Sequence, residues 1–414
     1  MAYKYEKLLE RFLSYVKIDT QSDEKSETTP STKKQFDLAE LLVEELKDMG
    51  LENVEVDEHC YVYATLPSNI KNNKYKIGLI SHLDTAPAVS GKDVNPVINK
   101  DYQGGDIVLP GEKGVVIKED DSLRKHIGED IITSDGTTLL GADDKAGIAE
   151  IMEALNYFVN NPEVPRPEIR VAFTPDEEIG RGTIKFDKEK FGAQFAYTID
   201  GGADGEIEDE NFNADSMIIK FKGINVHPGY AKGKMINAIK LAGEFLSLLP
   251  KDKMSPETTE KREGYVHPVE ISGIEEETTI FFIIRDFVES ELKKKEEFLE
   301  DLVKKVVSKY PGADYSVEVK ESYRNMKEVL DKYPDVLNLA IKAIEMAGVK
   351  PVRTPIRGGT DGAKLSFMGI PTPNIFTGGH NFHSKREWIS YQSMERAVDV
   401  IINLMKLWAE KNNE

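Results

Sequence analysis

The chain has 414 residues, of which 40% are hydrophobic and 31% charged, a balance typical of a globular protein with a sizeable core. Its formal net charge of −19 makes nucleic acid and anionic membranes poor partners, because both are negatively charged. Its single cysteine, Cys60, excludes an intramolecular disulfide and a multi-thiolate metal site, so nitrogen and oxygen must hold any bound metal.

The N-terminus of the chain lacks an apolar signal core, and no apolar run reaches the roughly 18–20 residues of a membrane helix, so we expect a cytoplasmic protein.

The first half of the chain predicts an α/β domain. Helical periodicity covers 5–17, 32–49 and 146–158, and β-rich runs cover 54–56, 61–66, 75–80, 169–174 and 195–199. Residues 91–134 predict an irregular excursion with some hairpin content.

The pattern changes near residue 210. Strand-like and helix-like runs then follow in the order βαββαβ, over 216–222, 237–249, 265–272, 278–287, 290–310 and 315–321. This order is typical of the ferredoxin-like unit. The helices predicted at 334–347 and 392–411 and the strand at 372–376 return to the α/β pattern. We therefore expect a discontinuous domain, 1–210 and 326–414, with a second domain, 211–325, inserted within it.

Two histidine motifs and three acidic clusters suggest a metal site. His82 lies in Ser81-His82-Leu83-Asp84-Thr85, and His383 lies near the C-terminus. The acidic clusters are Asp143-Asp144, Asp176-Glu177-Glu178 and Asp200, each at the end of an apolar run. Because the carboxyl ends of parallel strands meet at one edge of a sheet, we expect these side chains to lie close together.

Each motif alone also fits a structural role. His82 with Asp84 could be a solvated surface pair, and Asp143-Asp144 could cap a helix. Glu177-Glu178 could begin a helix, and Asp200 could belong to a simple turn. Their joint occurrence at successive strand ends favours a shared metal site over four coincidences.

Two neighbouring divalent cations would explain the number of carboxylates. Ions about 3.5–4 Å apart repel each other, so a carboxylate between them is favourable, and Asp143 suits that position. Each ion then takes one imidazole and one further carboxylate. Adjacent glutamates point in different directions, so one can bind metal while the other faces the attacking water.

Longer motifs give a specific resemblance over essentially the whole chain. They are Pro30-Ser31-Thr32, Ser81-His82-Leu83-Asp84-Thr85, 138–147, 172–178, Asn225-Val226-His227-Pro228-Gly229, 283–287 and 355–362. On these motifs the chain resembles the co-catalytic dinuclear zinc metallopeptidases, a family of aminopeptidases and carboxypeptidases related to carboxypeptidase G2. The resemblance implies a mixed-sheet catalytic domain, an inserted lid domain for substrate recognition, and a cytoplasmic enzyme acting on tripeptides.

The resemblance also implies a role for each residue. Two Zn²⁺ ions, with Co²⁺ or Mn²⁺ as replacements, would be held by His82, Asp143, Glu178, Asp200 and His383. Asp143 would bridge both ions, with His82 and Asp200 on the first and Glu178 and His383 on the second. Asp84 and Glu177 would be catalytic without touching metal, Asp84 as the support of His82 and Glu177 as the general base and acid.

Substrate contacts are expected from the inserted domain and from a glycine-rich loop. The resemblance implies that His227 stabilises the oxyanion, while Arg285 and Arg357 suit the C-terminal carboxylate of a short peptide. An ordinary ion pair is the alternative for both arginines. Asp176 is one candidate for binding the substrate amine, and His380 is expected to be a pocket or structural residue.

Two other functions remain open at this stage. A related dinuclear zinc dipeptidase or N-acyl amino acid amidohydrolase would share the metal motif. A non-catalytic peptide-binding protein would lack Glu177 or a ligand, and none is missing. The expected partners are short peptides, with neither nucleic acid nor membrane, and the sequence permits a homodimer.

Overall fold

The computed structural model describes residues 3–412. Its helices are α1 (Glu6–Tyr15), α2 (Gln35–Asp48), α3 (Asp121–Arg124), α4 (Ala142–Asn160), α5 (Lys188–Phe191), α6 (Ala238–Ser247), α7 (Glu289–Val307), α8 (Lys327–Leu330), α9 (Pro334–Met346), α10 (Asp361–Phe367) and α11 (Tyr391–Lys411). Among the described residues, no helix combines the length and apolar character needed to cross a bilayer.

The strands are β1 (Glu52–Val56), β2 (Val62–Leu66), β3 (Lys76–His82), β4 (Pro96–Asn99), β5 (Ile107–Val108), β6 (Val116–Ile117), β7 (Ile131–Ser134), β8 (Glu168–Thr174), β9 (Phe195–Gly201), β10 (Glu206–Glu208), β11 (Asn213–Lys222), β12 (Tyr265–Gly273), β13 (Glu277–Asp286), β14 (Asp314–Tyr323), β15 (Val352–Arg353), β16 (Asn374–Phe376), β17 (Gly379–His380) and β18 (Trp388–Ser390). They form four sheets.

The chain divides into two compact units. The first comprises Met1–Asp209, Met326–Thr354 and Thr360–Glu414, and the second comprises Glu210–Asn325 and Pro355–Gly359. The segment Pro355–Gly359 differs from the sequence expectation, which placed it in the discontinuous domain. It joins the second unit because the Ile356 N–H donates to the Glu210 carbonyl, and the Arg357 guanidinium donates to backbone carbonyls of 261 and 263.

An eight-stranded mixed sheet forms the centre of the first unit, in the order β1-β2-β8-β3-β9-β16-β10-β15. Strand β3 runs parallel to both β8 and β9, so the carboxyl ends of all three meet at one edge. Apolar side chains such as Ile77, Leu79 and Val171 are fully buried, as expected for parallel strands covered on both faces. Helix α4 packs against β3, β9 and α11.

A second, antiparallel sheet of the first unit has the order β17-β18-β7-β4. It organises part of the region 91–134, which the sequence predicted to be irregular with some hairpin content. Strand β7 pairs with β18, whose residues lie more than 250 positions later, Trp388 facing Thr133. Local sequence patterns carry no signal for so distant a partner, which explains the difference.

The second unit contains the four-stranded antiparallel sheet β12-β13-β11-β14. Its side chains alternate along β13, where Ile280, Phe282 and Ile284 are buried. Helices α6 and α7 pack against β11 and β13 and complete this core with Phe245 and Leu299. The predicted βαββαβ order and the α/β class are confirmed.

Candidate active site

Three strand ends carry the predicted ligands to one edge of the large sheet. His82 is the last residue of β3, Asp200 lies near the end of β9, and Glu177 and Glu178 form a 3₁₀ turn after β8. The parallel register pairs Ile80 with Thr198, which places His82 and Asp200 side by side two residues further on. The parallel pairing of β3 with β9 therefore brings these residues together.

Asp143 and His383 reach the same place from other elements. Asp143 lies in the first turn of α4 with a non-helical backbone (φ −84°, ψ 103°), and its peptide bond to Asp144 is cis. Its side chain contacts both histidines, so it is no ordinary helix cap. His383 lies in the loop between β17 and β18, with its side chain 48% exposed.

The two histidines sit in two separate carboxylate groups that share Asp143. His82 Nε2 lies 2.9 Å from Asp143 Oδ1 and 3.5 Å from Asp200 Oδ1. His383 Nε2 lies 3.0 Å from Asp143 Oδ2 and 2.9 Å from Glu178 Oε2. Each oxygen of Asp143 thus belongs to a different imidazole, which is the arrangement that a bridging carboxylate requires.

The donor set fits divalent metal ions. Potential ligand atoms of His82, Asp143 and Glu178 lie within 4.8 Å of one another, and the same holds for His82, Glu177 and Asp200. Glu178 Oε1 is buried and has no hydrogen-bond partner. Imidazole nitrogen and carboxylate oxygen are ligands that zinc accepts in proteins. The cluster is therefore suited to hold metal, and Glu177 stands close beside it.

The electrostatics of the cluster also favour a cation. Burial raises the pKa of Glu178 to about 7, and Asp143 beside it adds to the effect. Burial likewise raises the pKa of Asp200 to about 6, and raises that of Glu177 well above its usual range with help from Asp200. Carboxylates held this close repel each other, and a divalent cation would relieve that repulsion.

The histidines take up part of this negative charge. Hydrogen bonds to Asp143 and Glu178 raise the pKa of His383 to about 10. Burial alone would lower the pKa of His82, but Asp200, Asp143 and Asp84 outweigh it and raise that pKa well above its usual value. Metal binding would therefore have to displace protons from both rings, and we expect the affinity to rise with pH.

Asp84 holds two parts of the site at once. The His82 ring donates from Nδ1 to the backbone carbonyl of Asp84 at 2.9 Å, while the Asp84 carboxylate lies 3.4 Å away. That carboxylate accepts the N–H groups of Glu177 and Glu178 at 2.9 and 3.2 Å. The sequence predicted support of His82, but the carboxylate also fixes the turn that carries the two glutamates.

Glu387 is a site residue that the sequence analysis missed. It is buried, and its carboxylate accepts the backbone N–H groups of Leu140 and Gly141 at 2.8 Å and of Asp143 at 3.0 Å. Burial raises its pKa to about 7 despite these bonds. It holds the backbone that presents Asp143, and only its place before a short apolar strand could have marked it.

Replacing Glu387 by alanine is expected to lower the free energy of unfolding by about 3 kcal/mol at pH 8, because three backbone N–H groups, two of them buried, lose their acceptor. Urea denaturation measures the change. The matched control is Glu410→Ala, at an exposed position in α11, where we expect a change within about 0.5 kcal/mol. Equal effects of the two substitutions would contradict the role of Glu387.

Asp176 cannot serve as the amine-binding acid suggested by the sequence. It is fully buried, and its carboxylate accepts the Ser31 N–H at 2.7 Å, the Ser31 hydroxyl at 2.5 Å and the Gln35 amide at 2.7 Å. It therefore anchors the N-terminal segment beneath the glutamate turn. His380 is likewise outside the ligand groups and stacks on Trp388, with ring centroids 4.0 Å apart.

The remaining predicted residues all belong to the second unit. His227 is exposed, and its Nδ1 accepts the Gly229 N–H. Arg285 donates to the carbonyls of Asp215 and Ile284 and lies over the Tyr323 ring. Arg357 donates to backbone carbonyls and to the side chain of Thr259. Neither arginine forms the ordinary ion pair considered above among the contacts described.

Comparison with known proteins gives one consistent family. The sequence profile of peptidase family M20/M25/M40 matches residues 135–407. A protein of Clostridium perfringens strain 13 named Peptidase T is 52% identical over 98% of this chain and 100% of its own length. Another Peptidase T, from Geobacillus thermodenitrificans, is 50% identical over 99% of this chain and 100% of its own.

Solved structures share the fold. The aminopeptidase PepT from Bacillus cereus superposes with a TM-score of 0.75 at 23% identity, covering 98% of this chain and 99% of that one. A Bacillus subtilis protein described as a dinuclear metal-binding peptidase of the M20 family gives a TM-score of 0.68 at 15% identity, covering 98% of each chain. At these identities the likeness establishes the fold alone.

Proposed function

The chain belongs to peptidase family M20/M25/M40, and on that premise we propose that it is a dinuclear metallo-aminopeptidase that releases the N-terminal residue of tripeptides. The relatives that are about half identical over their full lengths are named Peptidase T. The observation that carries the proposal is Asp143, whose two oxygens lie at 2.9 and 3.0 Å from the two histidines. A carboxylate shared in this way suits two cations.

We propose that the ions are Zn²⁺, with Co²⁺ or Mn²⁺ as replacements, since nitrogen and oxygen ligands suit all three. His82, Asp143 and Asp200 would hold one ion, and Asp143, Glu178 and His383 the other. When bound, such a pair lowers the pKa of a water molecule and polarises the peptide carbonyl.

Among the protein's own side chains, Glu177 has the main proposed catalytic role. A carboxylate oxygen of Glu177 lies within 4.8 Å of potential ligand atoms of His82 and Asp200. Among the hydrogen bonds described, none involves this carboxylate. There it can take a proton from the attacking water and pass it to the leaving amine.

We propose that the second unit binds the rest of the peptide. His227, whose side chain is exposed to solvent in the second unit, would stabilise the developing oxyanion. Arg285 and Arg357 would bind the C-terminal carboxylate. A guanidinium has five N–H donors. Arg285 gives only Nη1 to backbone carbonyls, whereas Arg357 already gives Nη1 and Nη2 to 261, 263 and Thr259, which leaves its Nε–H. An anchor for the C-terminus would select peptides by length. The proposed location is the cytoplasm.

The test combines metal analysis with hydrolysis of trialanine before and after chelation. We expect about two metal ions per chain, release of free alanine from the amino end, and loss of activity on chelation that zinc restores. Dialanine, N-acetylalanine and N-acetyl-trialanine are assayed in parallel. Faster cleavage of N-acetylalanine than of trialanine would favour the amidohydrolase alternative, and activity that survives complete metal removal would refute the proposal.

A further inference from the structure

An enzyme that removes N-terminal residues needs a group that recognises the free α-ammonium, and most acids around the cluster are already engaged. They bind backbone or side-chain donors of the protein itself: Asp84, Asp176, Asp361 and Glu387. Asp143, Glu178 and Asp200 belong to the ligand groups. Glu177 is proposed as the general base, and Asp144 is fully buried and accepts the His82 N–H. The acid that meets the ammonium is therefore expected outside this set.

A cavity of about 310 Å³ opens beside the second histidine group. It is lined by Glu24, Ala86, Pro87, Ala88, Glu178 and His383. Glu24 is the one acid of this lining that does not belong to the ligand groups. Its side chain is exposed, and among residues 3–412 no cation forms an ion pair with it. The lining of this cavity thus combines two proposed metal ligands with an exposed acid that has no ion pair among the described residues.

Hydrogen bonds fix the loop that carries Glu24 to the elements that carry the ligands. The N–H and the hydroxyl of Ser22 both donate to the carbonyl of Thr85, the residue after Asp84. On the other side of the loop, Arg181 donates from Nη2 to the carbonyl of Glu24 at 3.3 Å, and from Nη1 to that of Ser26. The position of Glu24 is therefore set relative to the glutamate turn.

A third contact links this loop to Ser31. The Asp23 N–H donates to the Ser31 hydroxyl at 2.9 Å, and that hydroxyl donates to Asp176, which precedes Glu177. Ser31 of the Pro30-Ser31-Thr32 motif thus links the Glu24 loop to the catalytic turn, which gives this motif a structural role. These bonds fix the backbone of the loop that carries Glu24, which lowers the entropic cost of binding a ligand there.

We propose that Glu24 forms the subsite for the α-ammonium of the substrate, and that residues 86–88 contact the side chain of its N-terminal residue. An ammonium donates charge-assisted hydrogen bonds to a carboxylate, while a blocked or uncharged terminus would gain much less. The small side chains at 86–88 leave room above an apolar surface. This inference rests on the proposed aminopeptidase function and names the residue that would make it specific for free amino termini.

The test compares the zinc-loaded wild-type with Glu24→Gln, which keeps the shape and removes the charge. For trialanine we expect KM to rise about tenfold with kcat nearly unchanged, since the lost contact is to a bound charged group. Cleavage of the analogue with a hydroxyl in place of the α-amine should be unaffected, so the preference for the amine shrinks about tenfold. Added salt should weaken trialanine binding to the wild-type more than to the variant.

Glu27→Gln is the matched control, because Glu27 is an exposed acid on the same loop that does not line the cavity. It should leave the preference for a free amine unchanged. An unchanged preference in Glu24→Gln, or an equal loss in both variants, would overturn the subsite while leaving the aminopeptidase intact. A wild-type enzyme that releases no N-terminal alanine would overturn the proposed function, and this inference with it.

Discussion

Replacing Glu177 by glutamine is expected to reduce kcat for tripeptide hydrolysis by about 1,000-fold, while metal content stays at the wild-type level. The reduction is the range in which a positioned general base contributes. The backbone N–H of Glu177 is held by Asp84, and that bond does not involve the side chain that changes. Glutamine keeps the volume of glutamate but cannot accept a proton. Steady-state kinetics and metal analysis by mass spectrometry measure the two quantities on the same preparation.

The control for this substitution is Glu189→Gln, an exposed glutamate of α5 outside the cluster. It should change kcat less than about twofold. A Glu177→Gln variant that retains more than a tenth of the wild-type kcat with full metal content would show that another group takes the proton. A variant that loses metal as well would place Glu177 among the ligands, which its closeness to His82 and Asp200 makes a meaningful alternative.

The sequence predicted that most of these side chains would lie close together, because it predicted the strands that carry them. Apolar runs predicted β3, β8 and β9, and parallel strands necessarily end at a common edge, where His82, Glu177 and Asp200 lie. The order βαββαβ of the second unit followed from alternation and helical periodicity alone. Those signals depend on neighbouring residues, so they can be read without knowing the tertiary structure.

The features that the sequence did not reveal depend on contacts between distant residues. Glu387 binds the N–H of Asp143, 244 positions earlier, and β7 pairs with β18 across a similar distance. Asp176 was considered for the substrate amine because it adjoins the glutamates, yet it is bound to Ser31 and Gln35. An acid's neighbours in the chain do not indicate which donors will occupy it after folding.

Asp143 and His383 should differ in how many metal ions their loss removes. Asp143 faces both histidines, so Asp143→Ala is expected to lower the bound zinc from about two ions per chain to well below one. His383→Ala removes a ligand from one group only and should leave about one ion with His82 and Asp200. Metal analysis after dialysis against dilute zinc measures the stoichiometry directly.

The same variants should differ in how strongly zinc stabilises them. At a hundredfold excess over Kd, each site contributes about 2.7 kcal/mol to the free energy of unfolding. His383→Ala should keep about half of the wild-type stabilisation and Asp143→Ala little of it, as measured by urea denaturation with and without zinc. The matched control is the substitution His380→Phe, three residues before His383. The phenylalanine ring can still stack on Trp388, as the His380 ring does. Among the bonds described, His380 contacts no carboxylate of the cluster, so the His380→Phe variant should keep two ions. If that variant loses one ion and His383→Ala does not, His380 is the metal ligand instead of His383.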